Sequence, residues 1–138
     1  MAYEFSILGR GRAGRALAGA WGGIATTVAL LPSGATPTGF VLLAVPDDAI
    51  SAQAARFPGR CAHLSGSLHI EGVPCAHPLT SFDGEPADWR GTPLALTGTI
   101  PEFLVVAFQK LGFEPFHLEP QHKALYHAAA VLASAHSA

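Results

Sequence analysis

Phe5-Ser6-Ile7-Leu8-Gly9-Arg10-Gly11-Arg12-Ala13-Gly14 is the stretch on which the fold turns. Its short apolar run stops at Gly9 and reads as a buried strand. From Arg12 to Trp21, alanines and Leu17 recur at helical spacing until Gly22-Gly23 closes the helix. Between the two stands G-x-G-x-x-G, and each glycine has a mechanical task. The first permits a tight turn, the second lets a pyrophosphate approach the backbone, and the third lets the helix pack closely on the strand. A phosphate there meets unpaired N–H groups and the positive end of the helix dipole. The competing reading keeps the glycines for packing alone.

Charge placement favours an anion. From Phe5 to Pro46 there is no Asp or Glu, and the charges are Arg10, Arg12 and Arg15, grouped at the mouth of the turn. A site for NAD expects a carboxylate about 20 residues on, at the end of the second strand, to hold the ribose hydroxyls. Here that position reads Leu31-Pro32-Ser33-Gly34. Ser33 with a nearby arginine suits a 2′-phosphate instead, so the expected cofactor is NADP. The link from Leu31 to Phe40 is too short for a crossover helix, which predicts that one wall of the adenosine pocket is missing.

Ile24–Leu31 and Phe40–Val45 read as further strands, apolar throughout, as in a parallel sheet covered on both faces. Asp47 or Asp48 is the expected N-cap of a helix running to Phe57. Arg60–Leu64, Val73–His77, Pro93–Thr97 and Phe116–Leu118 are strand candidates. Glu102–Leu111 is a helix with Pro101 in its first turn, and Gln121–Ser137 is a long alanine-rich helix. The fold class is α/β.

At 138 residues the chain fits one domain of ordinary size. Charged residues are only 13% and apolar residues 49%, with 25 alanines, so a real core is expected and a disordered tail is excluded. A net charge of −2 argues against nucleic acid or an anionic membrane as partner. No apolar run approaches a membrane span, and MAYEFSILGR does not read as a signal peptide. Two cysteines make no disulfide scaffold. The expectation is a soluble, cytoplasmic domain.

Five segments in order carry a family resemblance: Ile7–Gly14, Leu42–Ile50, His63–Ser67, His77–Phe82 and Ala124–Ser134. The chain resembles Rossmann-like proteins with a C-terminal helical domain of unknown function. These are related to pyrroline-5-carboxylate reductase and 6-phosphogluconate dehydrogenase-like NADP oxidoreductases. The resemblance implies a Rossmann-like, mostly parallel sheet with helices on both faces, trimmed and ending in a long helix. It implies that Gly9, Gly11 and Gly14, flanked by Arg10 and Arg12, cradle a pyrophosphate. Val45, Pro46 and Asp47 would lie beside the nicotinamide ribose, Ser65 and Gly66 near the nicotinamide, and His77 on the substrate side. Residues 1–119 would form the dinucleotide-binding domain, and residues 120–138, with Tyr126 and His127, the start of a helical domain absent here.

The departures are specific. Besides the shortened crossover, the Ser67–Val73 segment is too short for the relatives' helix, and Ala135-His136 stands where they place an Asn. The implied function is an NADP-dependent oxidoreductase, or its nucleotide-binding half, acting on a small imine, keto or hydroxy acid. The alternative is a non-catalytic remnant binding a nucleotide or phosphate ligand for regulation or assembly. Candidate proton donors are His77, Tyr126 and His127. Lys123 is a possible substitute that its sequence neighbours do not single out.

Cys61-Ala62-His63 and Cys75-Ala76-His77 place four potential metal ligands on strands, but their spacing departs from usual zinc patterns. They read as buried cysteines beside family histidines, and no metal is expected. On the last helix, Leu125, Ala128, Ala129, Leu132 and Ala133 form an apolar stripe. Either it packs on the sheet or it meets another copy, and a homodimer through this helix is the expectation.

Overall fold

The computed structural model describes residues 4–137, with side chains through Leu132. In chain order the elements are β1 (Phe5–Leu8), α1 (Arg12–Gly23), β2 (Val28–Leu31), β3 (Val41–Leu43), α2 (Asp47–Ala55), β4 (Cys61–His63) and β5 (Cys75–Pro78). Then come β6 (Pro93–Thr97), α3 (Glu102–Lys110), β7 (Glu114–His117), a 3-10 turn at Pro120–His122, and α4 (Lys123–Ser137). The strands form one seven-stranded sheet in the order β2-β1-β3-β4-β5-β6-β7. Every neighbouring pair is parallel except β5 and β6.

Strand alternation divides the core in two. Phe5, Ile7, Leu42, Ala62 and Ala76 face α1 and α3. Leu8, Val41, Leu43 and Cys61 face α2, which buries Ile50, Ala54 and Phe57 against them. The first face is held by Trp21. Its ring meets Phe5 and Phe108 edge-on, each at 5.1 Å, and its Nε1–H donates to the Ala107 carbonyl at 2.7 Å. That bond satisfies a fully buried donor and ties α1 to α3. On the second face α4 sits near β5 to β7, with Tyr126 5.3 Å from Phe116. Helices therefore cover both faces of a mostly parallel sheet, as expected.

Several boundaries differ from expectation. The second strand begins at Val28, because α1, which ends at Gly22-Gly23 as expected, is followed by a turn centred on Ala25. There Thr26 N–H bonds the Trp21 carbonyl at 3.0 Å, and Ala25 takes the left-handed position at φ 62°. Gly22 and Gly23 stay helical. Asp47 and Asp48 lie in the first turn of α2 and do not cap it. Pro46 is the N-cap, without a side-chain bond. Pro101 is likewise the residue before α3. The final helix starts at Lys123, since Pro120 opens a tighter turn first.

The nine residues from Pro32 to Phe40 contain no helix and no strand. β2 is therefore the outermost strand, all apolar and half-buried. The loop is fastened by arginines from beyond α2. Arg56 donates to the Ser33 and Ala35 carbonyls at 3.1 and 2.6 Å, and Arg60 to Pro37 and Gly39 at 3.0 and 2.5 Å. Both guanidinium groups lie 4.9 Å from the centre of the Phe57 ring.

A left-handed residue with a Cβ costs about 1–2 kcal/mol relative to glycine. Ala25→Gly is expected to stabilise the fold by about 1 kcal/mol and raise Tm by about 3 °C. Thermal unfolding followed by circular dichroism measures this, and a lower Tm would contradict the strain assigned to Ala25.

Candidate functional site

The chain leaves β1 for β2 on one side and returns to β3 on the other, so strand order reverses at β1. In open α/β sheets the crevice outside the strand ends at such a point is where ligands bind. Its wall is the Gly9–Gly14 turn. Gly9 N–H bonds the Leu31 carbonyl and Ala44 N–H the Leu8 carbonyl, both at 2.8 Å, so three strand ends are laced together.

The three glycines separate by their surroundings. Gly9 has φ +114°, and a Cβ there would collide with the Ala44 carbonyl oxygen. A Cβ at Gly14 would collide with the Gly9 carbonyl oxygen. These two are required by packing. A Cβ at Gly11 would meet nothing within 4 Å, and Gly11 has an ordinary extended backbone. The fold gives no reason for that glycine; a ligand approaching the backbone would.

Gly11 is also the N-cap of α1, with no side-chain cap and no acid in the first turn. α2 provides the internal contrast, since Asp47 and Asp48 supply negative charge to its first turn. The start of α1 is thus uncompensated, with exposed Arg10 and Arg12 beside it. Arg15 corrects the expected trio, for its guanidinium lies against Gly84, 2.8 Å from where a Cβ there would be. That glycine belongs to a loop carrying Asp83 and Glu85. Two arginines remain at the turn.

Beyond the crevice, the ends of β3, β4 and β5 hold a polar network centred on Ser65. Its N–H donates to His63 Nδ1 at 3.1 Å. Its hydroxyl donates to Asp47 Oδ2 at 3.0 Å and accepts the N–H groups of Ser67 and Leu68 at 3.3 and 3.1 Å. Its carbonyl accepts Lys123 Nζ at 3.2 Å and the Cys75 thiol at 3.1 Å. Every polar group of Ser65 is engaged. Ser67 Oγ also donates to Asp47 Oδ2, at 3.2 Å, so one carboxylate oxygen receives both serine hydroxyls.

His77 Nδ1–H donates to the Leu64 carbonyl at 2.8 Å. This fixes the tautomer and leaves the Nε2 lone pair free. Nε2 points at Gly66, where a Cβ would collide with it, so Gly66 is the residue that admits the ring. Burial holds the imidazole below its ordinary pKa, the Leu64 bond opposing in part. His127 is 6.3 Å from His77 between ring centres. His77, Tyr126, His127 and Lys123 line one small, nearly filled cavity between α4 and the sheet. The three residues expected to move protons are therefore neighbours. Ser33 stands apart, exposed at the end of β2.

A cavity of about 530 Å³ opens at the opposite ends of the strands, between Phe40, Phe57 and Pro74. It holds none of this chemistry. Among the described residues no three His, Cys, Asp or Glu side chains converge in a metal-like group. Burial raises the thiol pKa of both cysteines, that of Cys75 to about 11.

His63 is the residue sequence reading undervalued. It is fully buried, its Nδ1 accepts a bond, and the proton-bearing Nε2 has no partner among the described residues. Burial first, then the charge of Lys123, lowers its pKa to about 4. The unfolded chain keeps the ordinary 6.5 and binds a proton that the folded chain refuses between pH 6.5 and 4. Stability is therefore intact above pH 6.5 and falls as pH drops through that window, by about 3 kcal/mol in all. Urea midpoints between pH 7.5 and 4.5 measure the loss, and His63→Asn should flatten the profile. An equally steep profile in the variant would place the acid sensitivity elsewhere.

No family model and no curated protein sequence matches the chain. Solved structures do. A Thermotoga maritima protein superposes with a TM-score of 0.68 at 20% identity, covering 94% of this chain and 63% of its own. Synechocystis arogenate dehydrogenase gives 0.70 at 14% identity, over 86% and 60%. An imine reductase from Myxococcus stipitatus, in complex with NADP+, gives 0.67 at 13% identity, over 96% and 61%. The chain spans about three fifths of the length of these structures. Their shared architecture shows that the fold of this chain is Rossmann-like.

Proposed function

We propose that the chain binds NADP across the crevice between β1 and β3. It would serve as the nucleotide-binding part of an oxidoreductase acting on a small imine, keto or hydroxy acid. The observation that carries this reading is Gly11. It is the one glycine of the turn that packing does not require, at a helix start that lacks both a cap and an acid. Similarity of fold to oxidoreductases, one of them in complex with NADP+, supports it.

Gly9, Gly11 and Gly14 would hold the pyrophosphate on α1, with Arg10 and Arg12 beside it. At the end of β2 no carboxylate opposes a 2′-phosphate, and Ser33 stands exposed with Arg56 on its carbonyl. Val45, Pro46, Asp47 and Gly66 would line the nicotinamide half. Ser65 would act through its loop, since its own hydroxyl is spent on Asp47. When bound, the cofactor supplies hydride to the substrate carbon. His77 would handle the accompanying proton, since its fixed tautomer leaves Nε2 to accept one and, once charged, to donate it. Tyr126 and His127 would complete the substrate side from α4.

The outer side of α4 suits a second copy of the chain. Leu125 and Leu132 are 75% and 61% exposed, with Ala128 and Ala129 between them. The sheet is met instead by Lys123, Tyr126, His127 and Ala130. Ala133, the last residue of the expected stripe, lies outside the described side chains. Among the described residues no helix is long and apolar enough to cross a membrane. Two buried free cysteines fit a reducing compartment such as the cytoplasm.

Calorimetric titration is expected to show NADPH binding more tightly than NADH; binding of neither at millimolar concentration would sink the reading. Gly11→Val should abolish that binding while changing stability by less than about 0.5 kcal/mol. Gly14→Ala should destabilise the fold by about 2 kcal/mol or more through its clash. Retained binding in Gly11→Val would return all three glycines to packing. Sedimentation at tens of micromolar is expected to give a dimer that Leu125→Lys dissociates, and a monomeric wild type would refute it.

A further inference from the structure

Lys123 is the one charged residue after Glu119, at the start of an otherwise uncharged helix. It is 3% exposed, and no carboxylate pairs with it among the described residues. Its ammonium donates to the carbonyl oxygens of Leu68 at 2.5 Å and Ser65 at 3.2 Å. Burying an ammonium costs several kcal/mol unless its bonds repay it. An apolar side chain would fill the same space without that cost. The charge is therefore retained for what it holds.

We infer that Lys123 is the positioning residue of the nicotinamide half of the site, acting through the Ser65–Leu68 loop; this rests on the cofactor reading above. The two carbonyls it grips bracket the loop. Between them lie the Ser65 and Ser67 hydroxyls that hold Asp47, and Gly66, which fits against His77 Nε2. A shift of the loop would thus move Asp47 and close or open the space beside His77. The same geometry argues against Lys123 as a proton donor to substrate. Two of its three N–H groups are committed to carbonyls, and the ammonium is sealed beneath the loop it holds.

The adenosine half depends on none of these contacts, for its walls are the α1 turn and the end of β2. Lys123→Met, which keeps the stem and removes the charge, separates the two halves. Affinity for NADPH should fall about tenfold or more. Affinity for 2′,5′-ADP, which lacks the nicotinamide end, should stay within about twofold. Amide exchange of Ser67 and Leu68 should quicken while that of α1 does not. Equal losses for both ligands would mark a general folding role and overturn the inference, as would NADPH affinity equal to wild type. Should the wild type bind neither ligand, the cofactor reading falls, and the exchange measurement alone upholds or overturns the clamp.

Discussion

At Gly9 the backbones of three segments meet with no room for a methyl group. The Ala44 carbonyl closes one side, and Gly14 of α1 presses on the Gly9 carbonyl. Hydrogen bonds from Gly9 to Leu31 and from Ala44 to Leu8 run to the strands on either side. Everything at the top of the sheet inherits its position from this contact. It sets where α1 begins and so where its unpaired N–H groups point. It also sets where β3 ends, and with it the first turn of α2 that carries Asp47.

Ser65 shows how such a scaffold is extended to a site. A serine in a loop can serve as a free hydroxyl or as a joint, and the count of its partners decides which. With donors and acceptors all matched, its worth lies in immobilising Asp47 and the peptide at Gly66. A fully satisfied polar network of this kind specifies one arrangement, because any shift strands a buried group. The exception is His63 Nε2, left without a partner.

Much of this was legible in the sequence. The strand–glycine–helix unit and the alternation of elements required only apolar runs, small residues and glycines, which report local geometry directly. Element ends were less legible. Gly22-Gly23 does mark the end of α1, but Ala25 takes a left-handed position that glycine normally marks, so the turn that delays β2 to Val28 carried no signal. Asp47 looks like a cap because Asp is among the preferred capping residues, yet its carboxylate is used by serines about 20 residues on. Lys123 illustrates the limit best. Its partners lie 58 and 55 residues away and are backbone carbonyls, which every residue has and no motif records. A lone lysine at the head of an uncharged helix was the available signal.

The shortened connection between β2 and β3 has a cost of its own. In the fuller arrangement a third parallel strand lies outside the second and occupies its outer hydrogen-bonding side. Here β2, the run Val28-Ala29-Leu30-Leu31, is the edge of the sheet among the described residues, and it contains no lysine or proline to discourage pairing. Its brevity is its main protection. The Arg56 and Arg60 bonds keep the loop after it in place, so the edge stays short. Loosening that loop would lengthen the open edge, making this side of the molecule the natural starting point for strand exchange and aggregation.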